Sequence, residues 1–329
     1  MGTSQSDKIE VTAIICTRNR ATQLSQVLES ASHLVVPPGL SWEFIVVDNG
    51  SSDNTADVVR RYAGRLPLRI VREETPGLSN ARNRGVAEAR GDYICWTDDD
   101  VRLDPNWLAA YAAAFRRHPE AAVFGGRILP TLEGPTPAWF SKAMNRWPIA
   151  TILAARDFGD DITPVTLKGG QEPYGANYAL RALEQRRYKY NPRLGVSPAQ
   201  KRVGEETDVI YKILTRGGNG WWVPDSKVHH IIPRGRQTLR YVYHYFFLSG
   251  ETSAYLVREQ AQDNYITGPE KSPPPLTLHP PEIRGRILRS ALGFVYHQMT
   301  GNADSKLRHL RDFGFYCGVL SYVRKTRLR

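Results

Sequence analysis

The chain has 329 residues, of which 41% are hydrophobic and 23% charged, enough apolar material for a full core and too much for a globally disordered protein. Its three cysteines, Cys16, Cys95 and Cys317, are odd in number and widely spaced, which excludes a disulfide framework or a zinc pattern of paired ligands and points to a reducing cytoplasm. A formal net charge of +11 implies attraction to polyanions, whether nucleic acid, anionic lipid or phosphorylated small molecules. Met1 to Glu10 has no apolar stretch of the signal-peptide kind, and no run of about 18 apolar residues occurs, so neither a leader nor a membrane span is expected.

The first third alternates short β-branched runs with longer helical patterns, as a parallel sheet covered by helices does. Val11 to Cys16 reads as a buried strand, followed by a helix over Thr22 to His33 with Thr22 as its N-cap. Phe44 to Val47 is the second strand, ending at Asp48, and Ser51-Ser52-Asp53 opens a helix through Tyr62. Leu68 to Val71 is the third strand, Leu78 to Ala89 a helix, and Tyr93 to Trp96 a fourth strand that stops at Thr97-Asp98-Asp99-Asp100. A helix over Asn106 to Arg117 leads to a strand over Ala122 to Ile128, and Pro130 to Pro137 connects onward. Between Ala138 and Pro233 the pattern is irregular, with Trp139, Trp147, Trp221 and Trp222 interspersed; these indoles either belong to the core or stack on a sugar. Arg240 to Val257 reads as an aromatic-rich helix, Pro269 to Pro281 as a proline-rich connector, and the tail beyond it as helical.

Polar residues therefore gather at the carboxyl ends of strands, the edge where open α/β sheets bind ligands. Three adjacent carboxylates at Asp98, Asp99 and Asp100 repel one another unless a cation or solvent compensates. Mg²⁺ or Mn²⁺, which takes one or two carboxylates plus phosphate oxygens, is the economical explanation. Asp48 suits either a helix entry or a hydrogen bond to a ribose or base, and Thr17-Arg18-Asn19-Arg20 either a polar turn or a nucleotide contact. Arg82 and Arg84 lie near a helix N-terminus, which favours a diphosphate.

This arrangement resembles the family 2 glycosyltransferases, whose fold is called GT-A. The matching pieces are Ile14 to Arg20, Val46 to Asp53, Gly77 to Gly85 and Thr97 to Asp100, continuing through Gly125-Gly126, Tyr174 to Arg181, Gly204 to Asp208 and Val223 to His230. The resemblance implies a Rossmann-like, mostly parallel central sheet with helices on it and a helical C-terminal extension. It divides the chain into a nucleotide-sugar-binding half (1–130), an acceptor-binding and catalytic half (131–235) and the extension (236–329). It further implies that Thr17, Arg18, Asn19, Asp48, Arg82, Asp98, Asp99 and Asn177 face the donor, that Asp100 and Asp98 bind the metal, and that His229 or His230 completes its shell. The family's catalytic base is the second acid of a Glu-Asp pair; here that position is Glu206, with Glu205 and Asp208 as the alternative candidates.

The expected activity is inverting transfer of a sugar from a nucleoside-diphosphate donor, UDP favoured, to a hydroxyl of a glycan or lipid-linked acceptor, in bacterial surface polysaccharide assembly. A metal-dependent nucleotidyltransferase is the nearest enzymatic rival, and a non-catalytic protein binding membranes or polyanions the rival of another class. No zinc-finger or RRM signature is present, so nucleic acid is not an expected partner. The tail's Arg284, Arg286, Arg289, Lys306, Arg308, Arg311, Arg324, Lys325, Arg327 and Arg329 suit either an interfacial helix on anionic lipid, which would make the cytoplasmic protein peripheral to the inner face of the membrane, or packing on the catalytic domain or a second subunit.

Overall fold

The computed structural model describes residues 8–166, 170–263 and 278–327. Its elements run β1 (Val11–Thr17), α1 (Ala21–Ala31), β2 (Trp42–Asp48), α2 (Thr55–Tyr62), β3 (Leu68–Arg72), α3 (Leu78–Glu88), β4 (Tyr93–Thr97), β5 (Val101–Leu103), α4 (Trp107–Arg117) and β6 (Val123–Leu132). They continue with α5 (Ala138–Ala143), α6 (Ile149–Ile152), β7 (Asn177–Arg181), α7 (Ala182–Arg187), α8 (Glu205–Thr215), β8 (Gly220–Ile232), α9 (Leu239–Asp263), α10 (Pro280–Met299) and α11 (Ala303–Arg327). Chain contacts divide these into two units. The first holds the chain up to Thr131 with Arg156–Gln200 and Gly204–Ile231; the second holds Leu132–Ala155, Lys201–Val203 and Ile232–Arg329.

The first unit is built on an eight-stranded sheet of order β3-β2-β1-β4-β7-β6-β8-β5. Pairing is parallel across β3, β2, β1 and β4, as the alternation of short strands and helices predicts. Beyond β4 it turns antiparallel at β4–β7, β6–β7 and β5–β8, so the sheet is mixed. Of that second half, β6 falls at the strand expected over Ala122 to Ile128, whereas β7 and β8 lie in the stretch of sequence that read as irregular.

Side-chain alternation sorts the sheet's residues onto two faces. Ala13, Ile15, Phe44, Val46 and Cys95 pack with Leu24, Val27 and Leu28 of α1, Val58 of α2, and Trp107, Leu108 and Tyr111 of α4. Ile14, Ile45, Val47, Ile94 and Trp96, one residue out of phase, pack with Ala81 and Val86 of α3 and Val209, Ile210 and Ile213 of α8. Because β1, β2 and β4 are parallel and in register, Thr17 stands beside Asp48 and their carboxyl ends meet the end of β4 at one edge. The chain leaves β1 toward β2 and β3 on one side and returns to β4 on the other, so β1/β4 is the topological switch point where crevices open.

Local capping differs from the sequence expectation. Helix α1 begins at Ala21 and not behind a Thr22 cap; its first amide donates to Oδ2 of Asp53 at 3.0 Å, while Oδ1 of Asp53 accepts from Thr55 N at 3.2 Å. One carboxylate thus serves two helix starts, and α2 opens at Thr55 after the Ser-Ser-Asp turn. The indole of Trp222 is buried and donates to Gly159 O at 3.1 Å, and Trp221 stacks on His118 at 3.8 Å, so both belong to the packing of the unit.

In the second unit α9 and α11 lie side by side at glycine-limited distance. A Cβ on Gly250 or Gly318 would run into the main-chain carbonyl of Phe315 or Phe247. Val242 and Phe246 of α9, Leu307 and Leu310 of α11 and Phe140, Ile149 and Ile152 form its core. The proline-rich connector expected over Pro269 to Pro281 falls outside the described residues as far as residue 277, as does Arg329.

All three thiols are held above their ordinary range by burial: Cys16 to about 12, Cys95 well above normal, and Cys317 upward despite a hydrogen bond with Tyr243. A disulfide-exchange reagent at mildly alkaline pH is therefore expected to label none of them quickly until denaturant is added. A native burst of even one thiol equivalent would contradict this.

Candidate active site

The carboxylates after β4 do not stand alone. Thr17, at the end of β1, donates its hydroxyl to Oδ2 of Asp99 at 2.7 Å, a buried bond across the β1/β4 switch point. Arg20 places Nε 3.1 Å from Oδ1 of Asp99 and Nη2 3.1 Å from Oδ2 of Asp100. Burial raises the Asp99 carboxyl to about 7, against the pull of Arg20, with the Asp100 charge adding to the rise. Asp98 is likewise raised, by burial first, with Arg82 opposing and Asp100 reinforcing.

The donor chemistry of this cluster suits a divalent cation. Nε2 of His230 lies 3.6 Å from Oδ1 of Asp100, brought there by the antiparallel pairing of β5 with β8 and the bond from Ile231 N to Asp100 O at 2.8 Å. Among the described residues no three acidic, histidine or cysteine side chains converge as a preformed cage. Mg²⁺ and Mn²⁺ do not need one, since they retain water and take oxygens from substrate phosphates, and a carboxylate beside an imidazole is chemically compatible with such an ion.

Arg82, on the buried face of α3, ties this edge to α8. Its Nη1 is 2.9 Å from Oε1 of Glu205 and 3.9 Å from Oε2 of Glu206, and its Nη2 is 3.5 Å from Oδ1 of Asp98. The guanidinium is walled by the rings of Trp96, Tyr178 and Tyr190 at 5.5–5.9 Å. Glu205 is buried, and desolvation together with the Glu206 charge raises its carboxyl well above the ordinary range although Arg82 opposes this. Glu206 keeps its carboxylate at the surface of the cluster, where Oε1 accepts the Gly175 amide at 3.2 Å. Position 175 is tight for a side chain: a Cβ would sit 3.0 Å from Nη2 of Arg82 and touch Oε1 of Glu206 at 3.4 Å.

Residues 12–166 match the model for glycosyl transferase family 2. Over 254 residues, 75% of each chain, this chain is 28% identical to the succinoglycan biosynthesis protein ExoM of Rhizobium meliloti. It resembles the family 2 glycosyltransferases over just under half of its length and is a glycosyltransferase. A shorter match, 29% identity over 98 residues (30% of this chain, 28% of the other), relates it to the putative glycosyltransferase EpsH of Bacillus subtilis. Its fold is that of the mannosyltransferase PcManGT from Pyrobaculum calidifontis, solved with GDP-Man and Mn²⁺ (TM-score 0.59, 18% identity, 97% and 87% of the two chains). S. aureus TarS 1-349, solved with UDP-GlcNAc, shares it as well (TM-score 0.53, 14% identity, 93% and 91%).

Within this transferase the structure brings together Thr17, Arg82, Asp98, Asp99, Asp100, Glu205, Glu206 and His230. Asp48, at the same sheet edge, is buried, with Oδ1 accepting Ser51 N at 2.8 Å and Oδ2 facing Nη1 of Arg72 at 3.1 Å. Asn19, at φ 53°, closes the neighbouring turn by accepting Ser52 N at 2.7 Å. Nη1 of Arg18 is buried and makes no hydrogen bond within the described structure, which suits a group held for an anion.

Other expected members are placed elsewhere. Asn177 is fully buried, and its amide is consumed by Trp107 and Tyr111 (2.8 Å each) and by the carbonyls of Arg127 (3.0 Å) and Ser226 (2.8 Å), so it is not available to a donor. His229 points to the opposite face of β8 from His230, as strand alternation requires. Asp208 is tied to Nζ of Lys212 one turn along α8 at 2.6 Å. Arg84 faces solvent and pairs with Glu88 at 2.9 Å; Arg82, though within the cluster, is buried against its acids and is not a free anion-binding arm. Sequence reasoning named Arg20 only within the turn Thr17 to Arg20 that could contact a nucleotide; its ion pairs with Asp99 and Asp100 across the switch point were not legible.

Proposed function

We propose that this transferase is inverting and metal-assisted, moving a sugar from a nucleoside diphosphate, UDP favoured, to a hydroxyl of a glycan or lipid-linked acceptor in bacterial surface polysaccharide assembly. The observation that carries this reading is the linkage of two carboxylate sets through one buried cation: Asp98, beside Asp99 and Asp100, and the Glu205–Glu206 pair share Arg82. The first set suits a diphosphate with its counterion and the second an acceptor hydroxyl. The UDP-GlcNAc bound in the TarS structure and the succinoglycan role in ExoM's name support the choice of donor and pathway.

In this scheme Glu206 takes the proton of the acceptor hydroxyl as its oxygen forms a bond to the anomeric carbon, and the bond from that carbon to the diphosphate breaks. The Gly175 amide fixes Oε1 of Glu206, and Arg82 keeps Glu205 and Asp98 from repelling it apart. Asp100 and His230 would hold Mn²⁺ or Mg²⁺, which supplies charge neutralisation on the departing diphosphate. Thr17, Arg18, Asn19, Asp48 and Asp98 line the donor side, and the protein works on the inner face of the cell membrane.

Calorimetric titration of UDP and of GDP, with Mn²⁺, with Mg²⁺ and with chelator, tests the donor half. UDP is expected to bind only with metal, and Asp100→Ala to abolish that metal-dependent binding. Equal binding with chelator, or binding unchanged in the variant, would sink the metal assignment.

A further inference from the structure

Helix α10 has two unlike faces. Ile283 and Ser290 are buried, Phe294 is half-buried, and Gly293 lies directly against the His309 ring of α11. Roughly half a turn away, at about 100° per residue, lie Leu288, Leu292, Val295, Tyr296 and Met299. Among the described residues these are the most exposed large apolar side chains of the second unit, from 55% at Val295 to 82% at Met299. Arg284 and Arg289 flank this stripe, and Arg286 reaches the Tyr316 hydroxyl at 2.9 Å. The helix carries a single acid, Glu282.

We infer that α10 is the element through which the protein lies on an anionic phospholipid bilayer, its Leu288–Met299 stripe in the acyl boundary and its arginines at the headgroups. This deepens the membrane placement proposed above and rests on it. Three arginines against one glutamate complement anionic lipid, whereas two copies of this helix facing each other would bring like charges together. Among the described residues no helix is long and apolar enough to cross a membrane, so the stripe suits a helix lying in the interface plane. The sequence spread the basic residues evenly over the tail. The structure separates them, because α11 is engaged with α9 through Gly250, Gly314 and Gly318 and buries Leu307, Leu310, Val319 and Leu320.

The test is cosedimentation of the full-length protein with phosphatidylcholine vesicles, with and without about a third phosphatidylglycerol. The wild type is expected to bind only the anionic vesicles, less so at high salt. Leu292→Glu/Val295→Glu and Arg284→Glu/Arg289→Glu should each lower partitioning about tenfold or more, with metal-dependent UDP binding and melting temperature unchanged. Binding that persists in both variants would overturn the assignment to α10 while leaving membrane contact intact. No wild-type binding would overturn both, and a dimer that the first variant dissociates, without vesicle binding, would assign the stripe to self-association.

Discussion

Glu206→Gln is expected to lower kcat by about 10²–10⁴ while leaving donor affinity and melting temperature close to those of the wild type. The three acids at the start of α8 look interchangeable in sequence but not in space. Glu205 is buried against Arg82, and Asp208 is held by Lys212 on the helix flank. Glu206 alone combines a surface-facing carboxylate with an orienting amide, that of Gly175. Glutamine keeps the shape and the bond to that amide but cannot accept a proton. Asp208→Asn should therefore cost far less, and Gly175→Ala should lower kcat modestly with little change in donor affinity, because its Cβ would press on Nη2 of Arg82, the cation that holds Glu205 and Asp98. Steady-state kinetics with a saturating donor, beside calorimetric donor binding, separates these outcomes. If Asp208→Asn proved as damaging to kcat as Glu206→Gln, the assignment of the base would fail.

Arg82→Met is expected to destabilise the protein by about 3–5 kcal/mol, because it strands Glu205 and Asp98 without their shared cation in a site walled by Trp96, Tyr178 and Tyr190. The sign with pH follows from Glu205. Its folded-state affinity for a proton is already raised by burial and rises further when Arg82 is removed, so the folded state binds more protons than the unfolded one. Stability of the variant should therefore fall as pH increases from the ordinary carboxylate range through neutrality. Adding Glu205→Gln to Arg82→Met removes the charge that titrates and should recover part of the loss and most of the pH slope. Urea unfolding of the single and double variants across pH measures all of this. A single variant within about 0.5 kcal/mol of wild type, with no pH slope, would show that Arg82 is not the linchpin of the cluster.

Much of the first unit was legible from local pattern alone. β-Branched runs ending in Thr17, Asp48 and Thr97 announce parallel strands with polar carboxyl ends, because a buried parallel strand needs apolar residues on both faces and its end does not. The adjacency of Asp98, Asp99 and Asp100 is a covalent fact, and so is the order of the motifs that mark the family. By itself, then, the sequence determined the parallel half of the sheet, the resemblance to the family 2 glycosyltransferases and the edge of the sheet where the polar strand ends gather.

Only the tertiary structure decided which polar residues reach that edge. Asn177 sits in a family motif, yet four hydrogen bonds claim it for the core, and its distant partners Trp107, Tyr111, Arg127 and Ser226 could not be read from its neighbours. His229 and His230 are equivalent in composition; the register of β5 against β8 turns one toward Asp100 and the other away. Arg82 looked like a phosphate ligand at a helix start and proved to be a buried counter-charge, since α8 docks its acids on the same face of the sheet. In the tail, basic residues recur throughout, but glycine-limited packing engages α11 and leaves the apolar stripe of α10 exposed. Periodicity records how a segment relates to its own neighbours a few residues away, whereas ion pairs, strand register and covered faces depend on what the rest of the chain brings alongside.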